Sequence, residues 1–153
     1  RRGLKTYAII CDEKANNTAA GAFTSGDWRT RDLNTEIADP DGIVSVSSNQ
    51  FTLGAGTYLI EGSAPAYHVN SHQLRIYNAT DSSVVAYGQN AYATSADNVQ
   101  NNAYVFARLT IAASKTFEIQ HRCSITKTVN GLGISFNFGN VMKYAVVKIF
   151  KEA

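Results

Sequence analysis

The stretch FEIQHRC, residues 117–123, alternates without a break. Phe117, Ile119, His121 and Cys123 fall on one phase, and Glu118, Gln120 and Arg122 on the other. Successive side chains of a β-strand point to opposite faces, so such a run buries one face and wets the other. The same period of two, carried by Tyr, Val, Ile, Phe and Thr, runs through most of the chain, and no segment shows a helical stripe. The pattern predicts strands at about 5–11, 43–53, 57–63, 72–78, 82–88, 102–111, 115–124 and 143–150.

The connections between these strands carry a second regularity. Short ones at 54–56, 79–81 and 112–114 alternate strictly with long ones at 12–42, 64–71, 89–101 and 125–142. In an up-and-down antiparallel path every second connection lies at the same end. The long segments are therefore expected at one end, with the tight turns and both termini at the other. Loops held on a rigid sheet are where binding usually resides. The expected fold is all-β, a two-sheet antiparallel jelly-roll sandwich of about eight to ten strands. Segments 27–35 and 133–139 also have some strand character, and a full strand in only one of them would break the parity.

At 153 residues and 44% hydrophobic content, the chain suits one domain (residues 1–153) around one core. It opens RRGLKTY without an initiator Met and ends just after a strand, so we expect the last domain of a longer protein. Net charge is +2 and the basic residues are scattered, which speaks against nucleic acid as a partner. The apolar runs are strand-sized, too short to insert in a membrane as helices. Cys11 and Cys123 sit on apolar strand phases and are expected to be free buried thiols.

The first and last strands, TYAIIC and YAVVKIF, are apolar on both phases. An antiparallel strand buried on both faces needs a cover on its outer side. A partner subunit would supply it, and so would the long segment 12–42. The first option predicts a homotrimer whose interface includes Tyr7, Ile9, Tyr144, Val147 and Ile149. Glu61, Arg75, Arg108, Glu118 and Arg122 lie on polar or mixed strand phases. They form either an ordinary solvated face or an ion-pair network across the same interface.

Four stretches, FTSGDWRTRDLNTE, FTLGAGTYLIEGSAPAYHVNSHQLRIYNATDSSVV, ARLTIAASKTFEIQHRC and NFGNVMKYAVVKIFKE, together resemble a domain found at the C-terminal ends of bacteriophage and prophage tail-fibre proteins. More distantly, the layout is similar to the tumour-necrosis-factor and complement globular-head jelly rolls. The resemblance runs from about Lys5 to Glu152. It implies a homotrimer on the upstream shaft of a fibre, in the virion, with a binding role and no enzymatic activity. The expected partner is a bacterial cell-surface receptor, glycan or protein. A non-viral trimeric ligand or adhesin of the same fold is the alternative, and part of a polysaccharide depolymerase the third option.

The residues themselves offer little chemistry. His68 and His72 stand four apart with no helix to align them, and they read as loop residues. His121 reads as a satisfied core histidine. Asp27, Asp32, Glu36, Asp39 and Asp41 read as turn and surface residues in preference to a calcium site. No nucleophile elbow or phosphate loop is present, and no metal or cofactor is expected. The segment 89–101, QNAYATSADNVQN, is rich in amides with Tyr close by. Flat rings with paired donors and acceptors suit sugars. The candidate receptor-binding residues are Tyr87, Asn90, Tyr92, Asn98, Gln100 and Asn102.

Overall fold

The computed structural model describes residues 6–152, so the expected strand start at Lys5 lies outside the described residues. Twelve strands form two antiparallel sheets: β1 (Tyr7–Lys14), β2 (Arg29–Thr30), β3 (Thr35–Ala38), β4 (Val44–Ser47), β5 (Gln50–Leu53), β6 (Gly56–Tyr67), β7 (Asn70–Asn78), β8 (Ser83–Tyr87), β9 (Ala91–Ala93), β10 (Gln100–Ile111), β11 (Lys115–Cys123) and β12 (Met142–Lys151). One sheet runs β10-β6-β12-β1-β3 and the other β4-β5-β11-β7-β8. In the second sheet, β2 extends the edge that β5 begins along β11, and β9 extends the edge that β8 begins along β7. The two-sheet jelly roll expected from the alternation is the fold observed.

The inward phases meet in one core. Ile10, Ile60, Val105, Val147 and Ile149 from the five-stranded sheet face Leu74, Ile76, Phe117 and Ile119 from the other, all buried. Full burial of one such side chain contributes about 1.5–3 kcal/mol. Val147 and Ile149 thus belong to this core and not to a subunit interface. On β12 the outward phase is Val146, Lys148 and Phe150, because each strand residue can serve only one face.

Two strand boundaries differ from the sequence pattern for clear reasons. The run 43–53 is a hairpin, reversing at Ser48 and Asn49, both with positive φ (52° and 61°). That geometry is the two-residue hairpin turn, which Asn tolerates well. The segment 64–71 is mostly strand, since β6 continues to Tyr67 and β7 starts at Asn70. Pro65 is accommodated because β12 stops pairing with β6 at Ser63. Beyond that residue the missing N–H breaks no ladder bond on that side.

Register fixes the two ends of the sandwich. Gly56 pairs with Ile111, Tyr58 with Lys151 and Tyr7 with Phe150 at one end. Tyr67 pairs with Gln100 and Lys14 with Met142 at the other. The described chain ends therefore leave beside the turns at 54–55, 79–82 and 112–114, as the alternation predicts. At the far end lie 15–28, the 68–69 turn, 88–99 and 124–141. Of the expected long loop 12–42, only the part before β2 stays there. Its remainder forms β2 and β3 and returns to the near end at 39–43.

Candidate functional site

The far end of the seven-stranded sheet holds an open cleft of about 820 Å3. Four segments build it. The start of β7 adds Ser71, His72 and Gln73, and the end of β11 with the residue after it adds Arg122, Cys123 and Ser124. β9 and the residue before it add Asn90, Ala91 and Tyr92, and the turn before β2 adds Ser25 and Gly26. Strand pairing sets these side by side: Arg122 faces Gln73 across β11 and β7, and Tyr92 faces Ser71 across β9 and β7. Odd-numbered positions of β7 and even-numbered positions of β11 point outward, so one polar row runs across the outer face of the sheet.

Next along that row, Arg75 lies beneath Trp28, with its guanidinium 4.3 Å from the ring centroid and 5.2 Å from that of Tyr77. Its Nε donates to Gln120 Oε1 at 2.6 Å. Tyr87 pairs with Arg75 and approaches Trp28 at 5.9 Å. The face beside the cleft is therefore aromatic and held by one cation.

Beneath the cleft the sequence reading missed a buried polar chain. His72 is a β7 residue, 3% exposed, not a loop residue. Its Nδ1 is 2.9 Å from His121 Nε2, and its Nε2 is 2.7 Å from Asn101 Oδ1. Asn101 Nδ2 donates to the Tyr92 carbonyl. At the other end, Arg31 Nη1 reaches His121 Nδ1 at 3.2 Å and the Pro65 carbonyl at 2.8 Å, while Nη2 donates to the Leu132 carbonyl at 2.8 Å. These partners assign the protons. Arg31 can only donate, so His121 Nδ1 accepts and its Nε2 carries hydrogen. His72 Nδ1 then accepts, and its Nε2–H donates to Asn101. Both imidazoles are neutral. Burial lowers His72 and lowers His121 well below the usual histidine range, and the Arg31 charge pushes both the same way. Burial brings Arg31 down to about 10, so it stays charged at neutral pH. His121 was legible as a satisfied core residue. The link to Arg31 and His72 was not, because three distant segments meet there.

The expected receptor-binding residues divide between two places. Asn90 and Tyr92 line the cleft and Tyr87 stands beside it. Asn98 and Gln100 are turned to other tasks: Asn98 Oδ1 accepts from Tyr67 Oη, and Gln100 Oε1 accepts from the Ile134 N–H. Asn102 lies on β10, in the other sheet, opposite Pro65.

The expected interface residues divide as well. The outer face of the five-stranded sheet presents Leu59, Tyr104 and Phe106, at 44%, 43% and 52% exposure. Half-buried Tyr7, Ile9, Val146 and Phe150 adjoin them. Tyr144 is on the same outer phase, but the chain itself covers it. Its hydroxyl donates toward the Thr18 and Ile134 carbonyls at 2.7 and 3.1 Å, and its ring packs with Ala20 and Met142. Segment 12–42 thus covers this face at Tyr144 through Thr18 and Ala20, and the part around Leu59, Phe106 and Val146 stays open. The five charges do not form one network. Glu61 and Arg108 belong to the apolar face, where they approach Lys148 (3.9 Å) and Glu152 (2.8 Å). Arg75, Glu118 and Arg122 lie on the opposite sheet, because β7 and β11 are paired there.

Both cysteines are free and buried. Burial raises the Cys11 thiol and pushes Cys123 up to about 11. Among the described residues, no group of three His, Cys, Asp or Glu side chains is placed to hold a metal ion.

No protein-family model and no curated protein sequence matches the chain. Solved structures do. The globular domain of zebrafish complement 1qA superposes with a TM-score of 0.61 at 13% identity, covering 97% of this chain and 98% of that one. Eiger TNF from S. frugiperda gives 0.61 at 14% identity, covering 96% and 92%. Murine APRIL gives 0.54 at 5% identity, covering 94% and 98%. Over nearly its whole length, the chain has the jelly-roll fold of the tumour-necrosis-factor and complement globular domains.

Proposed function

We infer that this chain is a non-catalytic recognition module that works as a homotrimer, a ligand or adhesin binding a cell-surface receptor. The open apolar part of the five-stranded sheet carries the reading. Leu59, Tyr104, Phe106, Val146 and Phe150 gather there around the exposed Glu61–Lys148 pair, on a face that the chain itself covers only at Tyr144. Large contiguous apolar patches on a folded surface mark interaction sites. A second copy of the same chain suits the patch, and the resemblance carried by the sequence stretches implies a homotrimer. The cleft lies on the other sheet and at the end away from the chain termini, so an assembly through the apolar face leaves three clefts free. Three weak sites held together bind far more tightly than one. The cleft lining includes neither Asp nor Glu, so it lacks the paired carboxylates of a depolymerase.

A second reading, the tip of a phage tail fibre acting in the virion on a bacterial receptor, rests on the sequence stretches quoted above. The described ends of the chain, at Thr6 and Glu152, lie at the near end, which suits a shaft there. The native sequence upstream of Arg1 separates the two. Fibre repeats with a virion-attachment domain favour the tail fibre, and a collagen-like or secretory segment favours the non-viral ligand.

Light scattering at micromolar concentration tests the assembly. Three chains per particle are expected, and Phe106→Asp is expected to give a folded single chain. A wild-type protein that stays monomeric and well folded defeats the reading.

A further inference from the structure

The cleft has a charge that its own surroundings leave unmatched. Arg122 is exposed at the rim, and its one side-chain hydrogen bond among the described residues is a long one, 3.4 Å, from Nη2 to the Gly26 carbonyl. It takes part in none of the ion pairs found among the described residues. The cleft lining has no carboxylate. Asp27, next in sequence to Gly26, accepts the Trp28 N–H on Oδ1 at 2.7 Å, and Glu118, four residues before Arg122 on the same face, accepts from Thr30, Gln50 and Gln120; neither lines the cleft. A planar guanidinium with most of its donors free matches one carboxylate, which it can grip with two parallel bonds.

The rest of the lining suits a sugar ring. Tyr92 is 57% exposed and offers a flat apolar surface. Asn90 forms no side-chain hydrogen bond among the described residues, and Gln73 donates to the Gly88 carbonyl at 2.9 Å while its oxygen stays free. Ser25 and Ser71 add hydroxyls. The volume falls within the range of small-molecule sites, about 300–1,000 Å3. The floor is rigid, since the Tyr92 carbonyl is tied through Asn101 to the buried histidines.

We propose that this cleft binds a carboxylate-bearing sugar unit of an acidic glycan, with Arg122 taking the carboxylate and Tyr92 stacking on the ring. The proposal rests on the recognition reading above and names its ligand class. A sulfate group would pair less well, because the lining offers no second Lys or Arg beside Arg122.

The test titrates the whole chain with glucuronic acid, N-acetylneuraminic acid, glucuronic acid methyl ester and glucose 6-sulfate, followed by backbone amide NMR shifts. Shifts are expected at Ser71, Tyr92, Arg122 and Ser124 with the two acids. The methyl ester should bind about tenfold or more weakly, in keeping with the loss of one charge-assisted bidentate pair. Arg122→Gln should erase the preference for acid over ester, and Tyr92→Ala should weaken both. Equal binding of acid and ester, preference for the sulfate, or no cleft shift with any sugar overturns the proposal. Adhesion of fluorescent protein to a panel of bacterial and animal cells runs beside it. Adhesion that neither Arg122→Gln nor excess glucuronate reduces defeats the acidic-sugar proposal alone. Adhesion to no cell at all defeats the recognition reading beneath it.

Discussion

The buried chain from Arg31 through His121 and His72 to Asn101 predicts a loss of stability in mild acid. A proton added to His121 must go to Nδ1, where the Arg31 guanidinium already donates at 3.2 Å. It would break that bond and place a second cation beside a buried one. The proton on His72 would go to Nδ1 and break the bond to His121. The native state therefore resists protonation, while the unfolded chain takes up a proton on each histidine at a pKa of about 6.5. The folded values are depressed, so the stability these groups contribute is complete above about pH 6.5 and is lost as pH falls from there toward the folded values. With a native state that does not protonate, each histidine costs RT ln(1 + 10) at one unit below 6.5, about 1.4 kcal/mol at pH 5.5. His121 contributes that in full, and His72 raises the total toward about 3 kcal/mol. Carboxylates titrate mainly below about pH 5, which leaves this window to the histidines.

The assay is urea unfolding at fixed protein concentration at about pH 7.5, 6.5 and 5.5, with imidazole proton shifts recorded alongside. The unfolding free energy should fall by about 1.4–3 kcal/mol between the first and last conditions, and by about 1–2 kcal/mol between the last two. The native His121 resonance should not titrate over the same range. His121→Gln lowers stability at every pH but should remove one proton's share of the slope. Unfolding energies that stay flat from about pH 7.5 to 5.5, or a native His121 titrating with a midpoint near 6.5, would refute the reasoning.

Three further outcomes follow from particular contacts. Gly88→Ala would drive a Cβ into the Tyr104 carbonyl oxygen and to 3.0 Å from the Leu74 carbonyl oxygen; a cost of about 2 kcal/mol or more is expected in thermal unfolding. Cys11 and Cys123 should react with a thiol reagent only after denaturation and without prior reduction, and fast native labelling of either would contradict its burial. Val147→Asp should abolish folding through a buried unpaired carboxylate costing several kcal/mol, whereas Phe106→Asp should leave a folded chain that no longer assembles.

Period-two alternation made the fold class and the near-end turns legible, because each phase meets either core or solvent. It could not say which sheet a strand joins. Arg108 and Arg122 look alike in sequence, yet β10 and β11 lie in different sheets, so the expected charge network divides. It also could not say which of two apolar phases faces the core. In YAVVKIF, Val146 and Val147 are equivalent in composition, and the register with β6 and β1 decides between them. The cleft was partly legible through Asn90 and Tyr92, on the segment singled out for its amides. Arg122 and Ser25 were invisible as partners of that segment because they arrive from β11 and from the turn before β2.

The two outer faces differ because burial asks different things of them. The face of the five-stranded sheet carries Leu59, Phe106, Val146 and Phe150, and such side chains lose free energy in water wherever nothing covers them. The face of the seven-stranded sheet carries Gln73, Arg75, Gln120 and Arg122, whose polar groups are satisfied by one another, by Trp28 and by solvent. A partner that covers the first face gains mainly from area, and must also accommodate Glu61, Lys148 and Arg108. A ligand at the second gains little from area and much from matching Arg122 and the amides. On the proposed reading, assembly and recognition draw on separate residues of the same domain. A substitution such as Phe106→Asp is expected to cost avidity by reducing three sites to one without altering what a single cleft selects. Arg122→Gln is expected to alter the selection while leaving the number of chains unchanged. If either variant produced the other's effect, the assignment of the two faces would be reversed.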